Sequence, residues 1–235
     1  MIYLVYQNFS SLDPEDLLEN ENLWSAWEKQ QCERLKVPKR RMKWVASRIV
    51  IKKLIKAVLP DQKNREMNQI EMHKEPSGSP YIVINHLRLK ANVSISHSNG
   101  FVLAACSPEP LPLGVDVEKI EPRAGEFLED FFTSDEISQV KKSKGKQDLL
   151  TTLFWSGKEA LLKAVTSGLN QDTRRINLRC HRLNESSNGW NDLVVDYDGN
   201  LHPAPRLVWR QEDQMILTVC WAGNPSLPLI WVEKD

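Results

Sequence analysis

The chain has 235 residues, with Lys plus Arg and Asp plus Glu each at 31, so its formal net charge is zero. That balance argues against a dedicated non-specific nucleic-acid binder, which carries a basic excess. Hydrophobic residues at 41% and charged residues at 26% argue against wholesale disorder. No apolar run approaches the roughly 20 residues that span a bilayer. Cys32, Cys106, Cys180 and Cys220 are far apart and form no C-x-x-C pair, which speaks against a zinc ribbon and a disulfide scaffold. The expectation is a soluble, cytoplasmic, globular protein with its cysteines as buried thiols.

Taken in chain order, the pattern predicts mixed helices and strands. Ile2-Tyr-Leu-Val-Tyr6 is too short for a signal segment and lacks a basic flank, so it reads as a strand. Asp13-Pro14-Glu15 is a helix start: a capping side chain, proline at the first helical position, then acids. A long helix is predicted from Pro38 to Val58, stopped by Pro60. Pro76-Ser-Gly-Ser-Pro80 is a turn between strands at Gln69–His73 and Tyr81–Asn85. Strands follow at Asn92–Ser96, Phe101–Cys106 and Leu113–Glu118. Thr133-Ser-Asp-Glu136 is a capping box opening a short helix, and Asp148 to Thr166 is helical, with Gly168 at its expected end. Five more strands are predicted at Ile176–Leu183, Asp192–Tyr197, Arg206–Arg210, Met215–Trp221 and Leu229–Val232. Phe101-Val-Leu-Ala-Ala-Cys faintly echoes Met215-Ile-Leu-Thr-Val-Cys, and Pro108-Glu-Pro-Leu-Pro112 is the candidate linker between two halves.

Three segments carry candidate chemistry. In Gly114-Val-Asp-Val-Glu118, strand alternation sends Val115 and Val117 to one face and Asp116 and Glu118 to the other. Two carboxylates about 7 Å apart at the Cα atoms can converge on one hard cation such as Mg²⁺, although D-x-E alone more often describes an exposed strand face. In Trp155-Ser-Gly-Lys-Glu-Ala-Leu-Leu-Lys163, helical spacing stacks Trp155, Glu159 and Lys163 along one face, with Lys158 beside them. Taken alone, Glu159 and Lys163 read better as a surface ion pair, although a Trp on the same face weakens that reading. In Val93-Ser-Ile-Ser-His-Ser98, ahead of Asn99-Gly100, Ser96 and His97 can donate to a phosphate from a strand end.

The ordered trio Ser96-His97-Ser98, Gly114-Val-Asp-Val-Glu118 and Trp155 to Lys163 resembles the Sfp-type 4′-phosphopantetheinyl transferases over about residues 34–169. The resemblance implies an α+β pseudo-dimer of two similar halves, here 1–112 and 113–235, with the active site between them and the protein a monomer. It implies transfer of the phosphopantetheine arm of coenzyme A to a serine of an apo acyl or peptidyl carrier protein, releasing 3′,5′-ADP. Asp116, Glu118 and Glu159 would hold Mg²⁺, with Asp116, Glu159 and Lys163 counted as catalytic and Glu159 also a candidate base for the serine. Lys163 would meet the pyrophosphate, and Ser96 and His97 the 3′-phosphate. Lys43, Arg48 and Lys158 are the further expected coenzyme A contacts.

The sequence departs from the family pattern in two places. The G-K-P turn stands as Gly78-Ser79-Pro80, so its lysine is either missing or replaced, with Lys74 a candidate replacement, and the glycine expected three residues after Lys163 is Thr166, ahead of Gly168-Leu169. The long helix also brings Arg41, Arg48 and Lys52 within about 40° of one another, a basic stripe that is the basis of the alternative, nucleic-acid reading. No aromatic stacking platform accompanies that stripe, and neither nucleic acid nor membrane is expected as a partner. A Mg²⁺ hydrolase would share the acids but leave Ser96, His97 and the helix lysines without a role.

Overall fold

The computed structural model describes residues 1–11, 13–165, 171–183, 189–197, 199 and 202–232. The chain divides into two compact units, one from Met1 to Pro110 joined by the returning segment from Leu227, the other Leu111–Ser226. The division falls inside the Pro-rich stretch, but the two units are not consecutive halves of the sequence. The last strand crosses back into the first unit.

In the first unit, β1 (Ile2–Asn8) lies between β12 (Leu229–Trp231), to which it is parallel, and β6 (Phe101–Ser107), to which it is antiparallel. With β5 (Asn92–Ser98) they form a four-stranded sheet ordered β12-β1-β6-β5. The β5–β6 hairpin turns at Asn99-Gly100, both at positive φ (46° and 82°), the left-handed pair that a tight hairpin needs. A second, three-stranded sheet runs β2 (Ile70–Lys74), β3 (Pro80–Ile84) and β4 (Leu87–Arg88). Its turn at Gly78, φ 91°, is the predicted Pro76–Pro80 turn.

Three helices complete this unit: α1 (Pro14–Leu18), α2 (Ala26–Glu33) and α3 (Pro38–Val58). α3 has the predicted bounds, with proline at its first turn and Leu59 in extended backbone at its end. From Val45 on it is buried almost all round, with Val45, Ile49, Val50, Leu54 and Ile55 in the core, and it packs on the sheet strands β1 and β6. α2 was not predicted. Its start carries a complete capping box of Ser25 and Glu28, where the chain also buries Glu28.

The second unit is a five-stranded antiparallel sheet, β7-β11-β10-β9-β8, comprising β7 (Leu113–Lys119), β8 (Ile176–Arg179), β9 (Asn191–Tyr197), β10 (Pro205–Glu212) and β11 (Met215–Ala222). Its helices are α4 (Gly125–Phe131), α5 (Ser134–Lys142) and α6 (Gln147–Ala164). The expected helix end at Gly168, with Thr166 and Leu169, lies outside the described residues. β8 is shorter than predicted, ending at Arg179. α6 packs on β7 and β11. Gly114 makes this approach possible: a Cβ there would stand 1.9 Å from the Ala160 carbonyl oxygen and 2.6 Å from the Ala164 nitrogen.

The sequence echo falls on equivalent strands. β6 and β11 are each interior, flanked on both sides by antiparallel partners, and each packs against the long helix of its own unit.

Candidate active site

The first unit holds a cleft of about 250 Å³ built from α3, β2 and β5. Arg40, Lys43 and Arg48 enter it from α3, Lys74 from β2, and Ser96 and His97 from the end of β5. The α3 residues follow from helical spacing, since 40, 43, 44, 47 and 48 share one face. Trp44 lines the wall and stacks under the Arg48 guanidinium, 3.5 Å from its centroid. Among the described residues, no acid is found lining the cleft. Four of the expected coenzyme A contacts, Lys43, Arg48, Ser96 and His97, thus share one cavity. Lys74 shares it too, whereas Ser79 of the altered turn is not among the lining residues. Arg40, Lys74 and Trp44 are the cleft residues that sequence reading either missed or named only as a substitute.

Arg48 is 5% exposed and anchored from behind. It donates to the carbonyls of Trp44 and Met72, and its Nε lies 3.8 Å from Glu28 Oε1. Burial lowers its pKa to about 10, opposed by the Glu28 charge, so it remains a cation at neutral pH. Lys52 is fully buried, bonded to Glu28 and to the Leu23 carbonyl, and Arg41 is paired with Glu15. The basic stripe of Arg41, Arg48 and Lys52 is therefore not an open polar face, because two of its members belong to a buried network with Glu28. The sequence basis for the nucleic-acid reading goes with it.

The second unit gathers the carboxylates. Gly114, Asp116 and Glu118 share the face of β7 turned to α6, while Val115 and Val117 are buried on the other. Asp116 is only 2% exposed, so this face is packed rather than open. Its Oδ1 accepts from Lys163 Nζ at 2.7 Å, and the same ammonium donates to the Val115 carbonyl at 3.1 Å. Arg123 Nη2 lies 3.5 Å from Glu118 Oε2. On α6, the residues from Thr151 to Ala164 are buried except Trp155, Glu159 and Lys163, which form the half-exposed stripe of the predicted spacing. Trp155 packs edge-on against Phe127 and Phe131 of α4.

Glu159 is the most perturbed acid of this group. Burial first, then the neighbouring Asp116 charge, raises its pKa to about 7; Lys163 opposes the rise and Glu118 adds to it. A carboxyl poised there can hold or accept a proton at neutral pH.

Lys158 requires a correction. It is fully buried, paired with Glu136 at 2.8 Å, and donates to the carbonyls of Phe131, Thr173 and Ile176. An ammonium has three protons, and four acceptors already compete for them. Lys158 ties α6 to its own unit and has no donor left for a coenzyme A phosphate.

Among the described residues, no three His, Cys, Asp or Glu side chains are grouped so as to hold a metal ion. The donor chemistry of Asp116, Glu118 and Glu159 nevertheless suits a hard cation: all are carboxylates, and Glu159 Oε1 is buried and accepts no hydrogen bond. Two of the three already carry a cation of this chain.

Residues 112–220 match the family described as the 4′-phosphopantetheinyl transferase superfamily. The chain is 28% identical to the Bacillus subtilis 4′-phosphopantetheinyl transferase Sfp, over 74% of this chain and 73% of that protein. It is 30% identical to the transferase ffp of Bacillus subtilis, over 54% of this chain and 55% of that one. The L-aminoadipate-semialdehyde dehydrogenase-phosphopantetheinyl transferase of Schizosaccharomyces pombe is also 30% identical, over 52% of each. The chain thus spans about three quarters of the first relative and about half of the other two. Through residues 112–220 the chain is similar to the 4′-phosphopantetheinyl transferase superfamily, and the relatives it resembles include transferases of the Sfp type.

Proposed function

We propose that this protein transfers the 4′-phosphopantetheine arm of coenzyme A to a serine of an apo acyl or peptidyl carrier protein, with Mg²⁺, releasing 3′,5′-ADP. The observation that carries the reading is the acid-free cleft where Lys43, Arg48, Lys74, Ser96 and His97 converge. Several cations with a hydroxyl and an imidazole suit a multiply phosphorylated nucleotide, and coenzyme A is one. The likeness to these transferases supports reading the carboxylates of the second unit as the metal-holding acids.

In this reading the cleft residues bind and orient coenzyme A, His97 and Ser96 toward its 3′-phosphate. Asp116, Glu118 and Glu159 would hold Mg²⁺, which when bound neutralises the pyrophosphate. The carrier serine oxygen forms a bond to the phosphorus that bears the pantetheine arm. The bond from that phosphorus to the oxygen bridging to the nucleotide breaks, and 3′,5′-ADP carries away the electron pair. Glu159 accepts the serine proton, directly or through water. Lys163 balances charge developing on the departing phosphate. The four cysteines are free thiols, which supports a reducing, cytoplasmic setting; no helix among the described residues is long and apolar enough to cross a membrane. We read the protein as acting as a monomer.

The experiment is incubation with coenzyme A, Mg²⁺ and a panel of apo carriers, followed by intact mass. At least one carrier gains the arm, and only with Mg²⁺ present. A panel left unmodified, alongside a salt-sensitive shift of an oligonucleotide, would return the protein to the nucleic-acid reading.

A further inference from the structure

The acids of the second unit are already neutralised from within. Lys163, on α6, bonds Asp116 Oδ1 and the Val115 carbonyl, so its ammonium is held by two oxygens of β7. Arg123, ahead of α4, lies against Glu118 and over the Phe127 ring, 4.7 Å from its centroid. A carboxylate 3% exposed, as Asp116 is, needs a partner cation, because an unmet buried charge is costly. Lys163 is itself 28% exposed, on a flexible stem, so its head group has room to leave. The Arg123–Glu118 approach is longer, at 3.5 Å, and Arg123 Nε is buried without a hydrogen-bond partner.

We propose that Lys163, seconded by Arg123, is the resident counter-ion of the acid group, and that a divalent cation must compete with it for the Asp116 oxygens. The proposal rests on the metal part of the reading above. It gives Lys163 two positions: on Asp116 without metal, and released toward the anionic substrate when the acids are taken.

The test uses the full-length protein stripped with EDTA, with Mg²⁺ titrated by calorimetry and by the rise in melting temperature. Lys163→Met removes the competitor, so it should bind Mg²⁺ at least about tenfold more tightly than the wild type. Its Mg²⁺-induced rise in Tm should be correspondingly larger. Lys163→Arg keeps the charge and should bind Mg²⁺ as the wild type does, and Arg123→Met should shift affinity in the same direction as Lys163→Met but less. If Lys163→Met is poorly folded by circular dichroism, Lys163→Gln is read in its place. Unchanged or weaker Mg²⁺ affinity in a folded charge-removed variant overturns the proposal, and so does the absence of Mg²⁺ binding in both variant and wild type. Failure of the transferase reading is distinguishable: no carrier gains mass, while the competition between Lys163 and Mg²⁺ persists.

Discussion

Lys158 and Glu136 form an ion pair 2.8 Å long with both side chains fully buried, and Lys52 and Glu28 form its counterpart in the other unit. In each case the acid closes a capping box as the third residue of a helix, α5 or α2, and the lysine comes from the long helix, α6 or α3. Glu136 also accepts the backbone N–H of Leu178, so the pair ties two helices to the sheet edge. Burial raises both carboxyls and lowers both ammoniums, against the attraction of each partner. Such pairs specify an arrangement more than they stabilise it.

Breaking one side should therefore cost far more than exchanging both. Lys158→Met leaves the buried Glu136 carboxylate without its counter-ion and takes one donor from each of three carbonyls, and should destabilise the second unit by about 3–5 kcal/mol. Combining it with Glu136→Gln should recover a substantial part of that loss, since the stranded charge is gone. Urea unfolding of the single and double variants checks this. A single variant as stable as the wild type would mean that the pair is dispensable.

Gly114 predicts a sharper effect. An added Cβ meets backbone of α6, not a side chain that can turn away. Gly114→Ala should lose about 3 kcal/mol or more through forced separation of β7 and α6. Gly125→Ala is the control, because its Cβ would meet nothing within 4 Å. Parallel thermal melts decide between a packing glycine and an incidental one.

How legible this was depended on whether neighbours along the chain decide the outcome. Both bounds of α3 were legible because Pro38 and Pro60 punctuate it. The half-exposed stripe of Trp155, Glu159 and Lys163 followed from helical spacing. α2 was missed although Ser25 and Glu28 carry its start signal, because its eight residues show little apolar periodicity. That β12 joins β1 is a pairing across nearly the whole chain, with no local trace. The same holds for Lys158 and Lys52: composition marks them as cations, and only packing against Glu136 and Glu28 places them inside. Arg123 lay outside every recognised motif, and the acids flanking it in sequence gave no hint of its approach to Glu118.

The cleft makes a prediction about ligand discrimination. If His97 and Lys74 face the 3′-phosphate of coenzyme A, their alanine variants should bind coenzyme A about ten- to a hundredfold more weakly, the worth of a charge-assisted hydrogen bond. Dephospho-coenzyme A should be affected little. Calorimetric titration of both ligands measures the difference. Equal weakening of the two would place these side chains elsewhere on the nucleotide.

The last prediction concerns Glu159 and pH. Its carboxyl is raised from 4.5 to about 7 in the folded, metal-free protein, by burial and by Asp116. A raised carboxyl binds its proton more tightly folded than unfolded, so folding is favoured while the proton stays on. That contribution is complete below about pH 4.5 and fades as pH rises through about 7, where the folded protein must ionise Glu159 beside Asp116. Between those limits the group removes roughly 1–3 kcal/mol of stability, discounted for its partial exposure. Glu159→Gln keeps the shape without the charge, so it should be more stable than the wild type at pH 8 and nearly equal to it at pH 4.5. Denaturant titrations of EDTA-treated protein across that range check the sign directly. A variant that loses stability at pH 8 would show that the Glu159 carboxylate is held by an attraction stronger than its repulsion from Asp116.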